Sequence, residues 1–228
     1  MKITKLGHCC LLIVMAGKRL LTDPGRLSDS QNQLENIDLI LITHEHTDHL
    51  HTDSLVEIMK KNPTTQIICN GSVGKIVEGL GYKPVIVEGR EATELSGMKI
   101  EAFDGDHATI FEDFGLVQNT GYFIADKLFF PGDAYTEPGR AVPVLALPVS
   151  GPWCKLGDVI AYLKTIKPEQ AIPVHDGLLN EAGLNITYQI IEKTTPADGV
   201  KFRRLKAGET IEISIDQESP SIISPTTY

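Results

Sequence analysis

A chain of 228 residues fits one layered α/β unit, and the reading is one domain over residues 1–217 with a surface tail over residues 218–228. Apolar residues make up 42% of it, enough for a sizeable core, which excludes a mainly disordered chain. With 21 Lys+Arg against 30 Asp+Glu the net charge is −9, and no dense basic cluster offsets it, so no nucleic-acid partner is expected.

Residues 2–6, 9–15 and 19–22 read as opening strands, with Ala16-Gly17-Lys18 as a tight turn between the second and third. The apolar run from Cys9 to Ala16 is too short to span a bilayer, and no small-x-small cleavage site follows it. No membrane partner and a cytoplasmic location are expected. Cys9, Cys10, Cys69 and Cys154 contain no Cys-x-x-Cys pair and read as reduced, buried thiols.

Residues 37–43 are almost wholly apolar, as a strand covered on both faces requires. Thr52 or Asp53 can cap a helix carrying Leu55, Val56, Ile58 and Met59, which stops near Asn62-Pro63. After a strand at 66–69, Ser72 can cap a helix over 73–80 that Gly81 ends. Strands follow at 98–103, 121–125, 128–130 and 142–147, then a helix at 156–166 and a strand at 171–174. Asn185 can cap a helix through Ile191, and 202–205 with 210–213 suggest a final hairpin. Strand runs feed helices twice over with no Pro/Gly-rich linker between, which suggests sheets with helices outside them.

The residues that carry chemistry are Thr43-His44-Glu45-His46-Thr47-Asp48-His49, directly after the buried strand. On an extended backbone His44 and His46 point to the same side, so two imidazoles can converge on one cation. Asp48 and His49 fall where the chain turns and can face a second cation. Imidazole nitrogen with carboxylate oxygen suits zinc first, with manganese or iron as further occupants. Further ligands are available in His107, Asp133 and His175. Asp133 and His175 each follow a strand as His44 does, which would gather the ligands at one edge of the sheets.

In the order and character of these motifs, from Gly7-His8 to Lys206-Ala207-Gly208-Glu209, the chain resembles the metallo-β-lactamase superfamily of metal-dependent hydrolases. The resemblance implies a four-layer αββα sandwich with two metals at one end. It places His44, His46 and His107 on the first metal, Asp48, His49 and His175 on the second, and Asp133 between them. The Gly7-His8 pair is similar to the start of the branch that contains ascorbate-phosphate lactonases.

Outside these ligands, Asp23 in Thr22-Asp23-Pro24 is a candidate acceptor that orients a ligand imidazole, or else a turn-starting acid. His8 could contact substrate or be a buried neutral ring, and His51 reads as a loop histidine. Asp106 is a supporting acid or a loop acid, and Trp153 a pocket wall or a loop anchor. Asp176 is a proton carrier or a turn cap.

The function expected is hydrolysis of an ester, lactone or phosphodiester of a small molecule by a metal-bridging water, with Asp48 and Asp133 as the catalytic carboxylates. The alternative is a mononuclear-iron oxidoreductase of the persulfide-dioxygenase kind, which keeps the same histidine cluster. A binding module stapled by metals is a third reading, disfavoured because the motif leaves coordination positions open.

Overall fold

The computed structural model describes residues 1–195 and 199–214. The tail at 218–228 and the end of the 1–217 unit lie outside the described residues.

The chain opens with β1 (Lys2–Gly7), β2 (Cys10–Met15) and β3 (Lys18–Thr22). β4 (Leu39–Ile42), α1 (Thr52–Lys61), β5 (Gln66–Cys69), α2 (Gly71–Gly79) and β6 (Val85–Ile86) complete the first half. The second half contains β7 (Ala92–Leu95), β8 (Met98–Asp106), β9 (Gln118–Ile124), β10 (Leu128–Phe130), β11 (Val144–Pro148) and α3 (Leu156–Ile166). It closes with β12 (Gln170–Val174), α4 (Glu181–Thr194), β13 (Lys201–Phe202) and β14 (Thr210–Glu212).

Two seven-stranded sheets result, ordered β14-β1-β2-β3-β4-β5-β6 and β13-β12-β11-β10-β9-β8-β7. Each is mixed: the first is antiparallel from β14 to β3 and parallel from β3 to β6, and the second is antiparallel from β7 to β10 and parallel from β10 to β13.

The period of two along each strand sorts side chains into layers. In β4, Leu39 and Leu41 enter the core shared by both sheets, while Ile40 and Ile42 pack with Leu55, Ile58 and Met59 of α1 and Val73 and Val77 of α2. β10 does the same in the second sheet. Its Leu128 and Phe130 face the shared core, and Phe129 faces Val159, Tyr162 and Leu163 of α3 and Tyr188 and Ile191 of α4. Helices therefore cover both outer faces, and the α/β fold is the expected four-layer αββα sandwich.

Several local readings are corrected. α1 begins at Thr52 with His51, not Thr52 or Asp53, in the cap position; no side chain caps its backbone there, and His51 Nδ1 lies 2.9 Å from Ser54 Oγ. α2 is capped by Asn70 rather than Ser72, its side chain accepting from the Val73 N–H at 3.0 Å. α4 starts four residues before Asn185, under the cap of Asn180, which accepts from the Gly183 N–H. The final hairpin does not form: β13 pairs in parallel with β12 in one sheet, and β14 pairs antiparallel with β1 in the other. The strand read at 37–43 is shorter because the Ile37 N–H donates to Asn62 Oδ1 and the Thr43 N–H to Asp23 Oδ1, side-chain partners in place of a ladder. Cys9, Cys10 and Cys69 are buried free thiols as expected, whereas Cys154 is half-buried and accepts from the Tyr135 hydroxyl at 3.3 Å. Among the described residues no helix is long and apolar enough to cross a membrane.

Candidate metal centre

Strand direction decides where the chemistry-bearing residues meet. β1, β3 and β4 run the same way in the first sheet, and β8, β10 and β12 the same way in the second. His8, Asp23 and His44 follow the carboxyl ends of the first three, and His107, Asp133 and His175 those of the other three or the turn after them. All converge at one end of the sandwich.

Asp133 sits at the middle of this cluster. Its Oδ2 lies 2.8 Å from His175 Nε2, 3.3 Å from His107 Nε2 and 3.9 Å from His44 Nε2, and its Oδ1 lies 3.1 Å from His49 Nε2. Around it, ligand atoms of His44, His46 and His107 lie within 4.8 Å of one another, as do those of His8, Asp48, His49 and His175. The structure thus brings together all seven residues expected to hold metal, in the two expected groups about Asp133, and adds His8 to the second.

Hydrogen bonds on the far side of the rings set their tautomers. Asp23 Oδ2 accepts from His49 Nδ1 at 2.7 Å and from Thr43 Oγ1 at 2.8 Å. The Thr43 hydroxyl, its proton committed to Asp23, is left to accept from His44 Nδ1 at 3.0 Å. His107 Nδ1 donates to the Ala108 carbonyl at 2.7 Å. A neutral imidazole has one N–H, so with Nδ1 engaged in this way the neutral form of each ring turns a bare Nε2 to the centre. Asp133 is placed by Asn119, whose Oδ1 accepts from the Asp133 N–H at 3.0 Å, and Trp153 Nε1 donates to Asp133 Oδ2 at 3.0 Å.

Close backbone approach makes the assembly possible. A Cβ on Gly25 would fall 1.7 Å from the Asp48 carbonyl oxygen, so only glycine lets the loop after Asp23 lie against the histidine loop. Gly132, at φ +67, would bring a Cβ within 2.2 Å of Asn119 Oδ1.

The electrostatics call for positive charge. Burial and neighbouring rings hold the pKa values of His44 and His46 below the ordinary histidine range, which keeps both neutral. Burial also opposes charge on His49 and His175, but Asp133 with Asp23 or Asp48 overcomes it and raises both, His175 to about 9. Despite its own burial, Asp133 is held well below the usual carboxylate range by His49 and His175. Asp133 thus draws positive charge to its side chain, here from the His49 and His175 rings, which is what a cation site at this carboxylate would do.

The donor set fits metal ions on a further count. His44 Nε2, His49 Nε2, His175 Nε2 and Asp133 Oδ1 are buried without a hydrogen bond of acceptable geometry. Each such atom costs about 1–3 kcal/mol if it stays unmet. Nitrogen and oxygen donors converging in this way are those that divalent zinc or manganese takes.

The remaining candidates divide. Asp23 and Trp153 lie within the assembly, whereas Asp106 is exposed and His51 stays with α1. Asp176, beside His175, accepts from buried Lys5 and from the Tyr188 hydroxyl, which ties the β12 turn to β1 and α4. Thr43 and Asn119 were missed. Thr43 borders the motif and could have been noticed, but Asn119 stands at the polar start of β9 and carries no sequence signal. Cys9 was read as a packing thiol. Its sulfur sits with His49 and Asp133, and burial keeps it protonated.

A family model described as a β-lactamase superfamily domain matches residues 2–175, most of the chain and all seven candidate ligands. The chain belongs to the metallo-β-lactamase superfamily of metal-dependent hydrolases. It is 30% identical over 203 residues to a protein of Mycobacterium tuberculosis, an alignment covering 87% of this chain and 94% of the relative. It is 24% identical over 189 residues to a UPF0173 metal-dependent hydrolase of Thermoplasma acidophilum, covering 77% and 83% of the two. The solved structure of Igni18, a metallo hydrolase of Ignicoccus hospitalis, superposes with a TM-score of 0.74 at 21% identity, over 93% of this chain and 99% of that one. The fold is thus shared with that structure over nearly the whole of both chains.

Proposed function

We propose that this chain is a binuclear hydrolase that cleaves an ester, lactone or phosphodiester of a small molecule. His44, His46 and His107 would hold one divalent ion, Asp48, His49 and His175 the other, and Asp133 would join them, with zinc as the first occupant and manganese or iron after it. The observation that carries this reading is the set of buried imidazole nitrogens that make no hydrogen bond of acceptable geometry and converge on the carboxylate of Asp133.

Two such ions, when bound, would supply a water acidified from a pKa of about 15.7 to about 7 and an electrophile for the attacked oxygen. The chain's own residues do the rest. Asp23 and Thr43 fix the faces of His49 and His44, and Trp153 holds one oxygen of Asp133. Asp48, whose side chain is 28% exposed against 3% for Asp133, is the carboxylate that solvent reaches and so the one placed to take the water's proton. Beside the cluster, Gly115 lies against His46, on a turn that exposes Phe111 and Phe114. An apolar acyl or aryl portion of a substrate fits that rim, and the net charge of −9 agrees with a small-molecule substrate rather than nucleic acid in the cytoplasm.

The test is metal analysis joined to a substrate panel. Two zinc or manganese ions per chain, with turnover of a lactone, aryl ester or phosphodiester that is lost with the metal in His46→Ala, is the expected result. A single iron with oxygen uptake driven by a persulfide would overturn it in favour of the dioxygenase alternative.

A further inference from the structure

His8 stands with Asp48, His49 and His175 in a group whose ligand atoms are close enough to share one ion, so by distance it could be a further ligand of the second metal. The hydrogen bonds on its two nitrogens argue otherwise. The Gly177 backbone N–H donates to His8 Nδ1 at 3.1 Å, and a nitrogen that accepts has no proton of its own. The proton of the neutral ring is therefore on Nε2, which faces Asp48 Oδ2 at 3.3 Å. To bind a metal through Nε2 the ring would have to move its proton to Nδ1 and set two N–H groups against each other across the Gly177 contact.

Several contacts hold the ring in this arrangement. A Cβ on Gly177 would fall 3.0 Å from His8 Nδ1, so only the bare glycine backbone lets the ring pack this closely. His8 is 2% exposed, its backbone sits at φ +47, and its carbonyl accepts from the His175 N–H at 3.3 Å. The turn that carries His175 thus also dictates which nitrogen of His8 is protonated.

We infer that His8 is a positioning residue and not a metal ligand, a neutral Nε2–H donor locked by Gly177 that holds Asp48 Oδ2 toward the second metal position. That oxygen lies 3.5 Å from His175 Nε2 and 3.9 Å from His49 Nε2. With one lone pair engaged by His8, the other is left to meet an ion among the three side chains. The inference rests on the proposed metal reading of Asp48, and its test separates the two.

Protein loaded with cadmium-113 and labelled with nitrogen-15 is the first measurement. Metal–nitrogen coupling is expected to His49 and His175 and absent from His8, whose Nε2 should show the shift of a protonated ring nitrogen. The second is zinc affinity by chelator competition in three variants. His8→Ala should weaken the second ion by about 10–100-fold, His8→Gln, whose amide N–H can reach the same place, should recover most of that, and Asp48→Ala should lose the ion. Cadmium coupling to His8, or equal losses in His8→Ala and His8→Gln, makes His8 a ligand and overturns the inference. So does a His8→Ala variant that binds as tightly as the parent. If Asp48→Ala retains both ions at full affinity, the metal reading itself is what fails.

Discussion

His49 donates from Nδ1 to Asp23 Oδ2 at 2.7 Å, and both side chains are wholly buried. Because the same carboxylate takes the Thr43 hydroxyl and backbone N–H, one acid aims two imidazoles at the centre, His49 directly and His44 through Thr43. In Asp23→Asn the amide can keep the Thr43 backbone bond, but an NH₂ group then faces His49 Nδ1. The ring must accept there, which moves its proton to Nε2 and removes the lone pair meant for a metal. Metal affinity should fall about 10–100-fold with the fold retained. Chelator competition measures it, and an unchanged affinity would show that Asp23 does not govern the ring.

Gly25 supports the same loop by backbone contact. It lies between Asp23, whose carbonyl accepts from the Gly25 N–H, and Arg26, whose N–H donates to the Thr47 carbonyl. Since an added methyl would overlap the Asp48 carbonyl and not a movable side chain, Gly25→Ala should displace the Asp48 backbone. The expected cost is about 1–3 kcal/mol of stability together with a loss of metal. Denaturant midpoints at constant m-value read the first and metal content the second. A variant with normal metal content would mean the two loops separate without harm.

How much of this was legible in the sequence depends on the range of the forces concerned. The histidine cluster was visible because alternate imidazoles after an apolar run have a local geometry, and α3 was read to the residue because its period and flanking breakers are local too. The helix caps were misread because Ser72 and Asn185 are as good locally as Asn70 and Asn180, and Thr52 is locally better than His51, which makes no cap bond. What decides among them is where the preceding strand or turn releases the chain. At Asn70 the choice is tertiary, since its side chain also donates to the Thr43 carbonyl. The last two strands were paired with each other because they are neighbours in sequence, whereas their partners are β12 and, through Thr4 and Thr210, β1. β7 escaped notice because an edge strand that offers the core little beyond half-buried Leu95 has only a weak apolar pattern to advertise it.

Glu88 gives a pH-dependent test away from the centre. Its Oε2 accepts from the Gly71 N–H at the start of α2 and from Gln118 Nε2, and these bonds hold its carboxyl below the usual 4.5 against slight burial. A carboxylate with a depressed pKa in the folded state stabilises the protein above the unfolded value and loses that contribution as pH falls through the folded one. The parent should therefore be more stable than Glu88→Gln near neutral pH, and the gap should close below about pH 4.5. Urea midpoints of both proteins across the acid range test this. A gap independent of pH would assign the effect to shape and not to charge.

Removing metal should destabilise the parent in a way that identifies Asp133. Without ions the bare nitrogens of His44, His49 and His175 and one oxygen of Asp133 stay buried and unmet, and the unfolded chain offers no comparable cage. An ion that binds the folded state alone stabilises it by about 2.7 kcal/mol at a hundredfold excess over its dissociation constant. Zinc added back to chelator-stripped protein should raise the denaturant midpoint with no change in m-value. Asp133→Ala should shrink that increment sharply, because the carboxylate between the two groups of imidazoles is gone and their positive ions would repel across the gap. Should the stripped and loaded parent unfold at the same midpoint, the buried nitrogens at the end of this sandwich are not a metal cage.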